Sequence, residues 1–168
     1  MHQKRPKLFQ NTLIMKTEET PLETAVAQTA DVAGHFRNGI QAVKGAYRSK
    51  IQTTKSRMLT GSVDIDTATQ SLYPNANRWD YAIEYEDKTY FVEFHPASTS
   101  NVDEMIEKLK WLNWWLQEKA PHINALKPKN INAYHWVATG SIQILNTSRQ
   151  HKLLATKGLL PKKIMVFK

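Results

Sequence analysis

Between Arg78 and Pro96 the chain reads RWDYAIEYEDKTYFVEFHP, two stretches of alternating side chains around a polar turn. Successive strand side chains point to opposite faces, so the pattern predicts antiparallel strands over Asp80–Tyr85 and Thr89–His95, joined at Glu86-Asp87-Lys88. Glu93 and His95 then share one face, and Val92 and Phe94 the other. Upstream, Leu22, Val26, Thr29, Ala30, Ala33, Phe36, Ile40, Val43 and Tyr47 recur at three and four. That stripe predicts a helix from Leu22 to about Lys50, started by Thr20-Pro21 with Glu23 in its first turn. Gly34 and Gly39 interrupt it and mark a kink or a close approach to a sheet. Gly61 to Asp66 alternates as a first strand, and residues 67–77 read as a loop.

Past the hairpin, Ser98, Thr99 and Ser100 offer caps for a helix from about Asn101 to Lys119. Its core face is Val102, Met105, Ile106, Leu109, Leu112 and Leu116, and Pro121 ends it. Trp111 and Trp115 are expected in the core, and Trp114 is left unassigned. Ala133–Ala138 reads as a strand stopped by Thr139-Gly140, with Ile142–Leu145 a candidate for another. A helix from a Thr147 or Ser148 cap to Lys157, closed by Gly158, precedes a final strand over Lys163–Phe167. The pattern is that of an α/β chain.

Composition narrows the possibilities. A length of 168 residues suits one domain over 21–168, behind a flexible tail over 1–20. Without cysteine there is no disulfide, zinc-thiolate site or thiol nucleophile, which fits a cytoplasmic protein. No apolar run approaches the roughly 20 residues needed to span a bilayer, so no membrane partner is expected. The net charge of +8 is one-sided: residues 1–120 balance 15 basic against 15 acidic side chains, whereas 121–168 hold 8 basic and no acidic ones. Such a region serves either phosphate contact or simple solubility. For nucleic acid as partner, the candidate contacts are Lys108, Lys110, Lys127, Lys129, Arg149 and Lys152.

The chemistry concentrates in the hairpin. Mg²⁺ or Mn²⁺ takes oxygen ligands, commonly one or two carboxylates. Asp80 and Glu93 supply two if their strands pair, and the Phe94 carbonyl supplies a third oxygen. His95, on the face of Glu93, is the candidate to position or deprotonate a water. A strand that exposes Glu93 and His95 and buries Val92 and Phe94 needs no metal, and is the commoner reading of a lone Glu-x-His. His35, His122, His135 and His151 show no metal-ligand spacing, and neither a phosphate loop nor a nucleophile elbow is present.

Helix, three strands, helix and strand, with Asp80 at the second strand and Glu93-x-His95 ending the third, resembles the PD-(D/E)XK nuclease superfamily from about Leu22 to Ala138. Asp80 matches the motif's Asp, Tyr81–Val92 its spacer and Glu93 its second acid. His95 falls on the motif's lysine and Trp79 on its proline. The resemblance implies a restriction-endonuclease-like αβββαβ core, a mixed sheet flanked by helices. It also implies divalent-metal-dependent hydrolysis of phosphodiester bonds in DNA or RNA, and a homodimer, since many such nucleases pair up. Relatives can draw the basic group from the following helix, which makes Lys108 or Lys110 substitutes for His95, and a Glu on the first helix can lie near the metal, here Glu23. Asp64 and Asp66 match no motif position. Histidine in place of lysine keeps a second expectation open: an inactive nuclease-fold module that binds nucleic acid or protein, such as an accessory protein of a mobile element or defence system.

Overall fold

The apolar stripe from Leu22 to Tyr47 does not form one helix. In the computed structural model, which describes residues 18–168, the first helix α1 covers only Pro21–Ala27. The tail expected at 1–20 therefore falls outside the described residues up to position 17. A 3₁₀ turn follows at Ala30–Val32, then the strand β1 (Phe36–Asn38) and a helical turn α2 (Gly45–Arg48). The cause is backbone handedness. Gly34 and Gly39 have φ of 82° and 54°, left-handed values that a right-handed helix cannot contain. The stripe's residues end up on two sides of a sheet: Leu22 and Val26 in one core cluster, Val43 in the other.

After β2 (Ile51–Thr53) comes β3 (Leu59–Asp64). The strand expected to reach Asp66 stops at Asp64, whose carboxylate accepts from the backbone N–H and hydroxyl of Thr67 at 2.9 and 2.8 Å and so opens α3 (Ile65–Thr69). The hairpin then forms as the alternation predicts, with β4 (Tyr81–Tyr85) and β5 (Lys88–Ser98) joined where Glu86 and Asp87 take positive φ of 48° and 61°. Two consecutive left-handed residues match the twist of the flanking strands. α4 (Val102–Glu118) follows. Pro121 does not merely end it but starts α5 (Pro121–Asn124), as a proline with no N–H to lose can. β6 (Tyr134–Gln143) runs through Thr139-Gly140 without stopping. Ser148 caps α6 (Arg149–Lys157), Gly158 closes it at φ 66°, and β7 (Met165–Phe167) is the last strand.

The main sheet has the order β1-β3-β4-β5-β6, antiparallel up to β5 and parallel between β5 and β6. β2 and β7 form a separate parallel pair. The chain is thus mixed α/β, with a five-stranded mixed sheet flanked by helices. Both faces are buried. Val63, Phe91, Leu112, Trp115 and Trp136 meet on one side with α1 and α4. Tyr81, Ile83, Tyr85, Val92, Phe94 and Phe167 meet on the other, where Phe94 stacks on Tyr47 with centroids 4.6 Å apart. Among the described residues no helix is long and apolar enough to cross a membrane.

One acid sits where the pattern gave no warning. Glu84, in the middle of β4, is fully buried and accepts from the Leu22 N–H at 2.8 Å and from the Thr60 hydroxyl at 2.7 Å. It thereby ties the first turn of α1 to the sheet through a group that helix geometry leaves without an internal partner. Glu84→Ala should lower the unfolding free energy by about 2 kcal/mol, the cost of stranding buried donors, in urea titrations. A change within experimental error would mean that Glu84 does not hold the helix.

Candidate active site

The β4–β5 ladder ends at the pair Tyr81 and Val92. One residue further, side chains take over from backbone. The Asp80 N–H donates to Glu93 Oε2 at 2.8 Å, and the Phe94 N–H donates to Asp80 Oδ2 at 3.0 Å. The two carboxylates thus satisfy the N–H groups of each other's strands where the strands part. Glu93 is 1% exposed and shares its sheet face with Phe91, under α4.

α4 packs Met105, Leu109 and Leu112 into the core and carries Lys108 along the border of that face. Lys108 Nζ lies 2.7 Å from Glu93 Oε1 and donates to the Arg78 carbonyl at 2.8 Å. One turn earlier Glu104 Oε2 meets His95 Nε2 at 3.2 Å. The two contacts share a geometric cause. Residues two apart on a strand are separated by about 6.7 Å and residues four apart on a helix by about 6 Å, so Glu93/His95 and Lys108/Glu104 come into step. Arg78 is itself fixed, its Nε 2.8 Å from Asp66 Oδ1 and a terminal nitrogen 2.7 Å from the Tyr73 carbonyl.

Burial pushes both acids up. It raises Glu93 to about 8, with the Asp80 charge adding and Lys108 opposing, and Asp80 to about 6, with the Phe94 N–H and Lys108 opposing and Asp66 and Asp64 adding. For Lys108, burial pulls the ammonium down but the Glu93 carboxylate outweighs it, and the net shift is upward. A buried carboxylate, Glu93, and a half-buried one, Asp80, face one ammonium. The site is one positive charge short when both are ionised.

That deficit suits a divalent cation. Among the described residues no group of three or more His, Asp or Glu side chains is placed to hold a metal ion. Of the two carboxylates, Asp80 has one oxygen, Oδ1, that receives no hydrogen bond from the described residues, while both Glu93 oxygens already accept one. Two carboxylates with water completing the shell is an ordinary Mg²⁺ arrangement, and the donor set fits.

The remaining candidates are placed as follows. His95 shares the face of Glu93, but its ring nitrogens engage Glu104 and the Pro96 carbonyl, the latter at 3.0 Å. Lys110 pairs with Glu107 on the surface, Lys127 donates to the Tyr134 hydroxyl at 3.1 Å, and Lys129, Arg149 and Lys152 are exposed. The Glu23 carboxylate accepts no hydrogen bond from the described residues. Asp64 caps α3 and Asp66 holds Arg78. The sequence pattern assigned neither Arg78 nor Glu104 to the site, although Glu104 stands four residues before Lys108 on the same helical face. Searches with this chain against family models, curated proteins and solved structures return no match.

Both acids titrate above the usual carboxylate range near about 4. The stability they contribute is therefore complete below about pH 4 and is lost as pH rises through about 6 for Asp80 and about 8 for Glu93. In the presence of chelator, Glu93→Gln, which fixes a neutral side chain, should match wild type in urea unfolding at about pH 4. At pH 9 it should exceed wild type by about 1 kcal/mol or more. Parallel pH profiles for the two proteins contradict this electrostatic picture.

Proposed function

We propose that the chain is a divalent-metal-dependent nuclease with a restriction-endonuclease-like core, α1-β3-β4-β5-α4-β6, and that Lys108 takes the part of the PD-(D/E)XK lysine. The observation that carries this reading is the 2.7 Å contact between Lys108 Nζ and Glu93 Oε1. It brings an ammonium from the following helix to the second acid of the motif, while the motif's own basic position, His95, is engaged by Glu104. The alternation of antiparallel β3-β4-β5 with a parallel β6 supports the same core.

Asp80 and Glu93 are the residues that would hold Mg²⁺ or Mn²⁺, with the Phe94 carbonyl as a further oxygen. A bound cation at this place supplies Lewis acidity toward a phosphodiester and a more acidic water. The chain's own groups do the rest. Glu93 keeps the Lys108 ammonium beside the cluster, where it neutralises charge that develops on a scissile phosphate. Arg78, through its carbonyl, fixes the other end of that ammonium's hydrogen-bond set. The exposed Lys129, Arg149 and Lys152 and the half-buried Lys127 belong to the acid-free region and are the phosphate contacts of this reading. Trp114, 42% exposed on α4, leaves apolar surface for a second copy of the chain. Lack of cysteine suits a reducing cytoplasm.

One observation favours the second reading, a nucleic-acid-binding module that does not cut. The ring of His95 is committed to Glu104, so the residue at the lysine position is not free to act. Cleavage assays on plasmid DNA, single-stranded DNA and RNA with Mg²⁺ or Mn²⁺ separate the two. Glu93→Ala and Lys108→Met should each reduce the rate by about a hundredfold or more, and His95→Ala by no more than about threefold. Cleavage that survives either of the first two substitutions sinks the assignment, and salt-sensitive binding without cleavage establishes the second reading.

A further inference from the structure

On the sheet face opposite Glu93, the register pairs Val92 with His135, and His135 points toward the second core cluster beside Tyr90, ring centroids 6.0 Å apart. Lys162 is clamped beside it by its own backbone: its N–H donates to the Trp136 carbonyl at 3.0 Å, and its carbonyl accepts from the Ala138 N–H at 2.8 Å. Its ammonium lies 2.9 Å from His135 Nδ1, while His135 Nε2 lies 3.0 Å from the Asn132 carbonyl. The pattern is that of a neutral imidazole, with Nε2–H donating and the Nδ1 lone pair accepting from the ammonium. Burial, with the Lys162 charge adding, holds His135 down near 4, and burial lowers Lys162 as well.

Lys162 is an ammonium without a counter-charge. Among the described residues it forms no ion pair, its one side-chain hydrogen bond runs to His135, and no acid occurs anywhere in residues 121–168. A partly desolvated cation that meets only a neutral ring is costly unless an anion completes it. Space for one exists. Lys162 and His135 line a cleft of about 390 Å³, and His135 and Asn132 also line an adjoining cleft of about 320 Å³ walled by Tyr85, Tyr90 and Phe167. Two of the three ammonium hydrogens are unclaimed by the described residues. The adjoining cleft, edged by Tyr85, Tyr90 and Phe167, lies next to them.

We propose that Lys162, positioned by His135, binds a phosphoryl group carried by a nucleotide unit, whose base occupies the neighbouring aromatic cleft. The unit is either a free nucleotide or one belonging to a nucleic-acid strand. The site is independent of the Asp80–Glu93 cluster and needs no metal, so it stands or falls apart from the nuclease reading.

Calorimetric titrations of the full chain in chelator, with inorganic phosphate, adenosine monophosphate and a short single-stranded oligonucleotide, test this. Wild type should bind the mononucleotide about tenfold more tightly than inorganic phosphate, because a stacked base adds to the anion contact. Tighter binding of the oligonucleotide than of the mononucleotide identifies a strand as the source, and the reverse order a free nucleotide. Lys162→Met should weaken all three ligands about tenfold or more. Without ligand it should unfold at the same temperature as wild type or a higher one, because it removes an uncompensated charge. Tyr90→Ala leaves the ammonium in place and should retain phosphate binding while losing the nucleotide's advantage. Undiminished binding by Lys162→Met, or no binding of any of the three to wild type, overturns the proposal. A ligand-free Lys162→Met protein that melts well below wild type also overturns it, by showing the lysine to be a structural partner of His135.

Discussion

A helix laid across a strand can match two pairs of charged side chains only if their spacings agree, and that constraint organises this molecule. On β5, Glu93 and His95 are separated by one residue; on α4, Glu104 and Lys108 are separated by one turn. The step is nearly equal in both elements, so the two contacts form together and fix where α4 lies along the sheet. The apolar face of α4, Met105, Leu109 and Leu112, holds the helix down. The charged border determines its register. Because the same border brings Lys108 to Glu93, the packing that builds the fold also assembles the candidate site.

The carboxylates at the end of the hairpin make the second constraint. Asp80 and Glu93 replace the next rung of the β4–β5 ladder with side-chain hydrogen bonds, so one oxygen of each is positioned by backbone. Burial raises both, and one lysine does not neutralise two acids. A pair held this way, one acid buried and the other half-buried, invites a proton or a cation. Glu84, two turns of the alternation further along the same strand face, shows the contrast: its oxygens are taken by the Leu22 N–H and the Thr60 hydroxyl, which fasten α1.

Much of this was legible in the sequence because it depends on local rules. Alternation around Glu86-Asp87 specifies the hairpin, the Ser98–Asn101 stretch and the apolar positions from Val102 specify α4, and Ser148 with Gly158 brackets α6. The stripe from Leu22 to Tyr47 misled for a physical reason: spacing at three and four describes side chains, while the left-handed φ of Gly34 and Gly39 is a backbone property that spacing does not report. β2 escaped notice because Ile51–Thr53 is polar and short, and acquires its pairing only from β7, more than a hundred residues later. At the site, Asp80 and Glu93 were readable from their strand positions. Lys108 was readable as one of two helix candidates, and only the packing of α4 distinguishes it from Lys110, which pairs with Glu107. Glu84 and Lys162 carry no sequence signal, since their meaning lies in what surrounds them.

Mn²⁺ binding, measured by electron paramagnetic resonance on wild type and on Asp80→Asn, tests whether Asp80 and Glu93 form one divalent-metal site. One Mn²⁺ should bind per wild-type chain, and binding should weaken about tenfold or more in Asp80→Asn, which removes the carboxylate while keeping its size. Equal Mn²⁺ binding by the two proteins, or none by wild type, would contradict such a site.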